Sequence, residues 1–245
     1  MVDSIIYFPG LRLLTSVSLI SVIITIIVSG GICHAVNLLD GLNGLSICWA
    51  ICAAIAMAVM ALSVNDMAVF RLLILLIGAS IGILVWNFPL GKIFLGDAGA
   101  YTLGHVLAWM ALLLMNRHPE ISPLALLLIF VWPITDMLLS MLRRKKSGRP
   151  IGQPDRLHFH QMVMRVLEIK FFTRARWNLT NPLGTIIILP MATVPMVLAI
   201  EFKMQTGAAF IAFCGFVAIF VVIYNWAFRR AGQPVHRKSR KLNQP

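Results

Sequence analysis

The sequence predicts an all-α, polytopic transmembrane helical bundle of about seven spans. Of its 245 residues, 59% are hydrophobic and only 12% are charged, whereas an average soluble domain has about 25% charged residues. The apolar residues form runs that are long enough to cross a bilayer as helices. The basic residues gather in a few short segments, so the net charge of +12 indicates membrane topology and no nucleic-acid partner.

The apolar runs place the predicted spans near residues 14–35, 46–63, 70–88, 100–116, 122–142, 181–200 and 207–228. The first run could be taken for a signal peptide. However, the segment before it has only Arg12 against Asp3, and the run is long for the apolar part of a signal peptide. We therefore expect a retained helix, within a single transmembrane domain over residues 1–228.

The distribution of Lys and Arg predicts how the spans are oriented. Ten of the 21 basic residues lie in the loop 143–177, and six more lie in the tail 229–245. Because positively charged loops stay on the cytoplasmic side, we expect this loop and the tail to be cytoplasmic. Seven spans then put the N-terminus outside. The tail would contact anionic lipid.

Within that loop, residues 156–171 are expected to form an amphipathic helix at the membrane interface. Its lipid-facing residues would be Met162, Val163, Val166 and Leu167.

The first predicted cytoplasmic turn contains an aspartate between two asparagines. Asp40 follows the first span, and Asn37 and Asn43 lie three residues to either side of it. On a helical segment these side chains share a face. A carboxylate with carboxamides suits Mg²⁺ or the hydroxyl groups of a sugar. The alternative is a polar helix terminus that is capped by its own side chains.

The second polar segment runs from Asn87 to Gly104, with Asp97 at its centre. A carboxylate at the edge of the hydrocarbon is costly and by default indicates a functional site. The glycines beside Asp97 would let backbone amides and a ligand approach closely. Lys92 could meet a phosphate. The alternative is an ordinary helix start with Asp97 as its N-cap.

The third segment, residues 154–161, contains Arg156, His158 and His160. Two histidines at i and i+2 point the same way only from an extended or irregular segment. With the arginine they would form a cationic cluster that donates hydrogen bonds and suits a diphosphate. A zinc site is disfavoured, since no further thiol or histidine is near in sequence. The alternative is that these are ordinary interfacial histidines.

The three segments fall on the same predicted face of the membrane. Acidic and amide groups can hold Mg²⁺, while the basic loop can hold phosphates. The combination indicates a magnesium-assisted phosphoryl-type transfer that joins a soluble nucleotide substrate to a lipid substrate. A transporter would instead need broken helices and a polar path through the midplane, so we rank it last.

Three motifs carry a resemblance to a known family. They are Asn-Leu-Leu-Asp-Gly-Leu-Asn-Gly-Leu at 37–45, Phe-Leu-Gly-Asp-Ala-Gly at 94–99 and Pro-Asp-Arg-Leu-His-Phe-His at 154–160. In this order they resemble the polyprenyl-phosphate N-acetylhexosamine-1-phosphate transferases, glycosyltransferase family 4. The similarity is greatest to the bacterial undecaprenyl-phosphate GlcNAc-1-phosphate transferases.

The resemblance implies a reaction, its cofactor and its location. It implies transfer of a sugar-1-phosphate from a UDP-N-acetylhexosamine to undecaprenyl phosphate with release of UMP, at the start of cell-envelope polysaccharide synthesis. The cofactor would be Mg²⁺, with Mn²⁺ as a substitute. The protein would lie among the lipids of the bacterial inner membrane, with its active face cytoplasmic, and the resemblance is compatible with a homodimer. GlcNAc is the favoured sugar, and GalNAc stays open.

The resemblance also implies roles for individual residues. Asp40, Asp97 and His158 would be catalytic, and Asp97 would bind the metal. The substrate-binding residues would be Asn37, Asn43, Asn87, Arg156 and His160.

The chain departs from the family pattern in three respects. It contains no Asp-Asp motif, Asn43 stands where a second aspartate is usual, and Gln161 stands where a further histidine is frequent. The chain begins where the family's fifth span would, so we expect the earlier spans to be missing. The alternative function is therefore a catalytically inactive, truncated homologue that acts as a membrane nucleotide-sugar-binding or regulatory module.

Overall fold

The structure is a computed structural model that describes residues 18–146, 148, 158–170 and 177–231. These residues form helices joined by short turns, and no strand occurs among them. The helices are α1 (Ser18–Asn37), α2 (Leu45–Ser63), α3 (Met67–Asn87), α4 (Gly96–Arg117), α5 (Pro123–Ile129), α6 (Val131–Lys146), α7 (Phe159–Lys170), α8 (Trp177–Glu201) and α9 (Thr206–Ala231). The all-α fold class is confirmed.

Six of the described helices, namely α1, α2, α3, α4, α8 and α9, are long and apolar enough to cross a membrane. The helices α5 and α6 pass the same test only as a pair, and they are bent by 70° at Phe130. This pair corresponds to the fifth predicted span, 122–142. The predicted number of about seven spans therefore agrees with the fold, although the fifth is broken.

The helix α2 is the centre of the bundle and packs against α3, α4 and α8. Its large side chains Trp49, Met57 and Met60 are fully buried. Its small residues let neighbouring helices come close, as is usual in membranes where packing drives helix association. The buried alanines of α2 are Ala50, Ala53, Ala54, Ala56, Ala58 and Ala61.

The helices α1 and α4 form a second close pair. A Cβ atom added at Gly104 of α4 would lie 2.8 Å from the Cα atom of Cys33 in α1. The two backbones can approach this closely because residue 104 has no side chain. This contact aligns the end of α1 with the start of α4, where the polar motifs lie.

The helix α7 confirms the helix predicted within 156–171, but its predicted orientation is wrong. Met162 is 1% exposed and Leu167 is 9% exposed, and both face protein. Val163 and Val166 pack partly against the same core. The reason is that α7 lies against α8 and α9, which offer apolar side chains that the sequence pattern of α7 alone could not reveal.

Candidate active site

Asp97 lies in the first turn of α4, where the partial positive charge of a helix N-terminus favours a carboxylate. Its Oδ1 atom accepts a hydrogen bond from Asn37 Nδ2 at 3.0 Å, which joins the end of α1 to the start of α4. The N-cap position is occupied by Leu95, with no side-chain cap bond. The alternative of Asp97 as an ordinary N-cap is therefore wrong. The Asp97 side chain is exposed and accessible to a ligand.

Asp40 lies in the turn between α1 and α2 and is half-buried. Its Oδ1 atom accepts a hydrogen bond from Ser46 Oγ at 2.6 Å, and its carboxylate also accepts one from the Gly96 N–H. Burial raises the pKa of Asp40, the two hydrogen bonds oppose this change, and the nearby Asp97 charge adds to it. The structure thus brings the two predicted carboxylates together at one end of the bundle.

Asn43 and Asn87 hold the turns of this region in place. Asn43 Nδ2 donates to the Pro89 carbonyl at 2.8 Å, and the Asn43 backbone N–H donates to Asn181 Oδ1 at 2.7 Å. Asn87 Oδ1 accepts from the Gly44 N–H, and Asn87 Nδ2 donates to the Ile93 carbonyl at 2.7 Å. Both asparagines are buried. Their predicted contact with substrate stays a prediction.

His158 precedes α7 and is 4% exposed. Its Nδ1 atom lies 3.3 Å from Ser140 Oγ and 3.5 Å from Asp136 Oδ2, both on α6. The other oxygen of Asp136 accepts a hydrogen bond from the Phe159 N–H at 3.1 Å. His158 is therefore held in position by side chains of α6, although it is distant from them in sequence.

His160 lies on the first turn of α7 and faces the Asp40 turn. A Cβ atom added at Gly41 would be only 2.1 Å from His160 Nε2, so the imidazole fits because residue 41 is glycine. The rings of His158 and His160 stack, with their centroids 6.0 Å apart and their planes at 4° to each other. Burial, opposed by the Asp136 charge and reinforced by His158, lowers the pKa of His160 to about 4. His160 is therefore neutral at pH 7.

The outcome for the two predicted basic groups differs. Arg156 lies outside the described residues. The Lys92 ammonium lies 5.7 Å from the centre of the Trp86 ring, a cation–π distance. Neither ring nitrogen of His160 has a hydrogen-bond partner among the residues that the structure describes.

Sequence reasoning missed the role of Asp136. This carboxylate lies within the fifth predicted span, and a charged residue inside an apolar run is itself a signal of function. It also missed Asn181 and Ser46, which are ordinary polar residues without a distinctive spacing.

Asp97 and Asp40, with the amide of Asn37, offer the oxygen atoms that Mg²⁺ prefers. No group of three His, Cys, Asp or Glu side chains suited to a metal occurs in the described ranges. This donor set fits Mg²⁺, which commonly uses one or two carboxylates and takes its remaining ligands from water and substrate phosphates.

The amino-acid sequence is similar to those of known proteins. Residues 2–115 match the family model described as glycosyl transferase family 4. This similarity covers a little less than half of the chain. The match includes the Asp40 turn and Asp97, while His158 and His160 lie beyond it.

Several similar proteins are named as sugar-phosphate transferases. A Bacillus subtilis protein named as a probable undecaprenyl-phosphate N-acetylglucosaminyl 1-phosphate transferase is 33% identical over 55% of this chain and 38% of its own. A Staphylococcus carnosus phospho-N-acetylmuramoyl-pentapeptide-transferase is 30% identical over 63% of this chain and 47% of its own length. A Mycobacterium tuberculosis decaprenyl-phosphate N-acetylglucosaminephosphotransferase is 26% identical over 66% of this chain and 46% of its own length.

In each of these three comparisons the matched part is less than half of the relative's length. No solved structure matches the chain.

Proposed function

We propose that this chain transfers an N-acetylhexosamine-1-phosphate, with GlcNAc-1-phosphate favoured, from a UDP-sugar to undecaprenyl phosphate. An oxygen of the lipid phosphate would form a bond to the sugar-bearing phosphorus, and the bond from that phosphorus to UMP would break. The product would begin a cell-envelope polysaccharide or O antigen. The observation that carries the proposal is that Asp40, Asp97 and the His158–His160 pair meet at one end of the bundle.

In this proposal Asp97 and Asp40 would hold Mg²⁺, or Mn²⁺ in its place. The bound ion would neutralise charge on the transferring phosphates. The Asn37 side chain orients Asp97 through the 3.0 Å hydrogen bond. The neutral His160 beside the two carboxylates can donate a hydrogen bond to a phosphate oxygen without adding a permanent charge. Arg156 would add a bidentate contact to the diphosphate.

We further propose that the chain lies in the bacterial inner membrane with this end in the cytoplasm. The support is the charge of the helix ends. The last turn of α6 has four basic residues in a row, and the last turn of α9 has two. By the positive-inside rule these turns face the cytoplasm, where a soluble UDP-sugar is available.

A second candidate function is a nucleotide-sugar-binding module without turnover. The observation that favours it concerns Asn43, which stands where the family resemblance implies a second aspartate. The Asn43 amide is buried and donates to the Pro89 carbonyl. An amide in that role supports the turn and supplies no negative charge.

UMP release by the purified chain tests the proposal, with undecaprenyl phosphate, Mg²⁺ and UDP-GlcNAc supplied in detergent. We expect release that needs both the lipid and the metal. Asp97→Asn should lower it at least about 100-fold, because the variant loses a metal-binding carboxylate. The control Glu201→Gln, at the exposed end of α8, should leave release unchanged.

Binding of UDP-GlcNAc, measured by calorimetry with and without Mg²⁺, separates the two functions. Binding without release would favour the non-catalytic module. Undiminished release and binding in Asp97→Asn would show that the site assignment is wrong.

A further inference from the structure

Asp136 is a buried carboxylate whose two oxygen atoms are both engaged. It is 2% exposed on α6. Burying a carboxylate is costly unless hydrogen bonds or charges compensate for it. Here Oδ1 accepts the Phe159 N–H at 3.1 Å, and Oδ2 lies 3.5 Å from His158 Nδ1. Asp136 therefore contacts both the backbone at the start of α7 and the histidine before it.

The first contact determines where α7 begins. The first N–H groups of a helix have no partner within the helix, and a side-chain oxygen that accepts one of them stabilises the helix start. Asp136 supplies this oxygen from a different helix. The start of α7 is thereby attached to α6, and the first turn of α7 contains His160, which contacts Gly41.

The second contact bears on the tautomer of His158. A carboxylate accepts hydrogen bonds and donates none, so a ring nitrogen that faces it favours its protonated form. Ser140 Oγ also lies 3.3 Å from Nδ1 and can accept from it. With the proton on Nδ1, the Nε2 atom of His158 is left as a hydrogen-bond acceptor. In other enzymes a carboxylate fixes a catalytic histidine in this way, and replacing it with an amide can preserve geometry while lowering kcat about 10⁴-fold.

We propose that Asp136 is a positioning residue, which holds the start of α7 and keeps His158 in the Nδ1–H tautomer for phosphoryl transfer. The part of this inference that concerns catalysis rests on the function proposed above. The part that concerns the tautomer does not, because it follows from contacts within the chain.

Nitrogen-15 NMR of the purified chain, labelled at its histidines, measures the tautomer directly. His158→Gln assigns the His158 signals. In the wild type we expect His158 to show a protonated Nδ1 and an unprotonated Nε2. In Asp136→Asn the amide oxygen stays with the Phe159 N–H, so the amide NH₂ faces Nδ1 and the tautomer should switch. Asp136→Glu, which retains a carboxylate, should restore the wild-type signals at least in part.

Two variants serve as matched controls. Ser140→Ala removes the nearer neighbour of Nδ1, an uncharged hydroxyl that can accept or donate, and should leave the tautomer unchanged. Asp66→Asn removes another buried carboxylate that lies 3.0 Å from a histidine, His118, between other helices. It should leave the His158 signals unchanged.

Kinetics form the second arm of the test. Asp136→Asn should lower kcat for UMP release at least about 100-fold while KM for UDP-GlcNAc changes little, because the site keeps its shape. A protonated Nε2 in wild-type His158, or an unchanged tautomer in Asp136→Asn, would overturn the proposal. A wild-type chain that shows the expected tautomer but releases no UMP would refute the proposed function and leave the tautomer assignment standing.

Discussion

Among the asparagines and aspartates of the candidate site, exposure distinguishes side chains that support turns from those that can bind a ligand. Asn43 and Asn87 are buried and bonded to backbone groups. Asp97 is exposed and has one described side-chain partner, Asn37. A buried asparagine with backbone partners stabilises a turn, whereas an exposed carboxylate beside a half-buried one can receive a cation. The candidate site therefore centres on Asp97 and Asp40.

At the opposite end of α4, Asp66 stabilises the bundle through charge. Its carboxylate caps α3 by accepting the Val69 N–H, and it lies 2.9 Å from Arg117 Nε and 3.0 Å from His118 Nε2. Burial raises the pKa of Asp66, but these three groups lower it more, so the pKa lies below its usual value. A carboxyl group of this kind stabilises the fold above its unfolded pKa of about 3.9, and the contribution is lost as the pH falls through the folded pKa.

We predict that Asp66→Asn lowers the free energy of unfolding at pH 7 by about 1–3 kcal/mol, since the asparagine keeps the cap but loses the charge. The difference from the wild type should shrink as the pH falls from 5 to 3. Thermal unfolding in detergent at several pH values measures this. Glu201→Gln should show no comparable effect, and a difference independent of pH would contradict the charge argument.

The same residues show what sequence reasoning can reach. Asp40, Asp97 and the two histidines were predictable because charged and titratable groups at the ends of apolar runs are expensive and few. The residues that hold these groups in place were not predictable from the sequence. Ser46 contacts Asp40 from the next helix, and Asp136 contacts His158 from a span distant in sequence. Those contacts depend on how the helices cross, which no local spacing encodes.

At the scale of elements, the turn between α1 and α2 is attached to the end of α3. Gly44 has a φ of 77°, its N–H donates to Asn87, and an added Cβ atom would lie 2.8 Å from the Phe88 side chain. Both the backbone conformation and the space require glycine here. The Asp40 turn therefore depends on contact with a third helix.

We predict that Gly44→Ala destabilises the bundle by about 1–3 kcal/mol, because alanine is strained at this φ and Phe88 must move. Gly30→Ala is the matched control, since Gly30 lies inside α1 and its added Cβ atom would meet nothing within 4 Å. It should be neutral or stabilising by up to about 1 kcal/mol. Melting temperatures in one detergent compare the two variants, and equal losses would argue against the turn contact.

The break between α5 and α6 was not predicted, although its cause can be read in the sequence. Pro133 lies in the first turn of α6, a position that tolerates proline because its missing N–H would have no helical partner. In a run of apolar residues such a proline is compatible with either a mild kink or a new helix. The 70° angle depends on neighbouring helices, so the run 122–142 was predicted as one continuous span.

At the scale of the whole molecule, the two ends of the bundle differ in chemistry. One end holds Asp40, Asp97 and the histidines, and α6 ends there in a basic run. The other end holds Asp66 with Arg117 and His118. Alternation of the predicted spans was sufficient to assign these groups to opposite ends, because each span reverses the direction of the chain.

Cysteine labelling in cells tests the proposed orientation. In a variant without the four native cysteines, Lys145→Cys on α6 and Met204→Cys between α8 and α9 would each provide one exposed thiol. A membrane-impermeant maleimide should label residue 204 in intact cells with a permeable outer membrane. It should label residue 145 only after the inner membrane is opened. The reverse pattern would contradict the orientation.

The contact between Gly41 and His160 should couple the evolution of these two positions. Any side chain at residue 41 would occupy the volume of the imidazole, so the two positions constrain each other across 118 intervening residues. Lineages that retain His160 should retain glycine at 41, and substitution there should become tolerable only after the histidine is replaced by a smaller residue. Paired substitution at 41 and 160 would then mark the lineages in which the start of α7 no longer packs against the Asp40 turn.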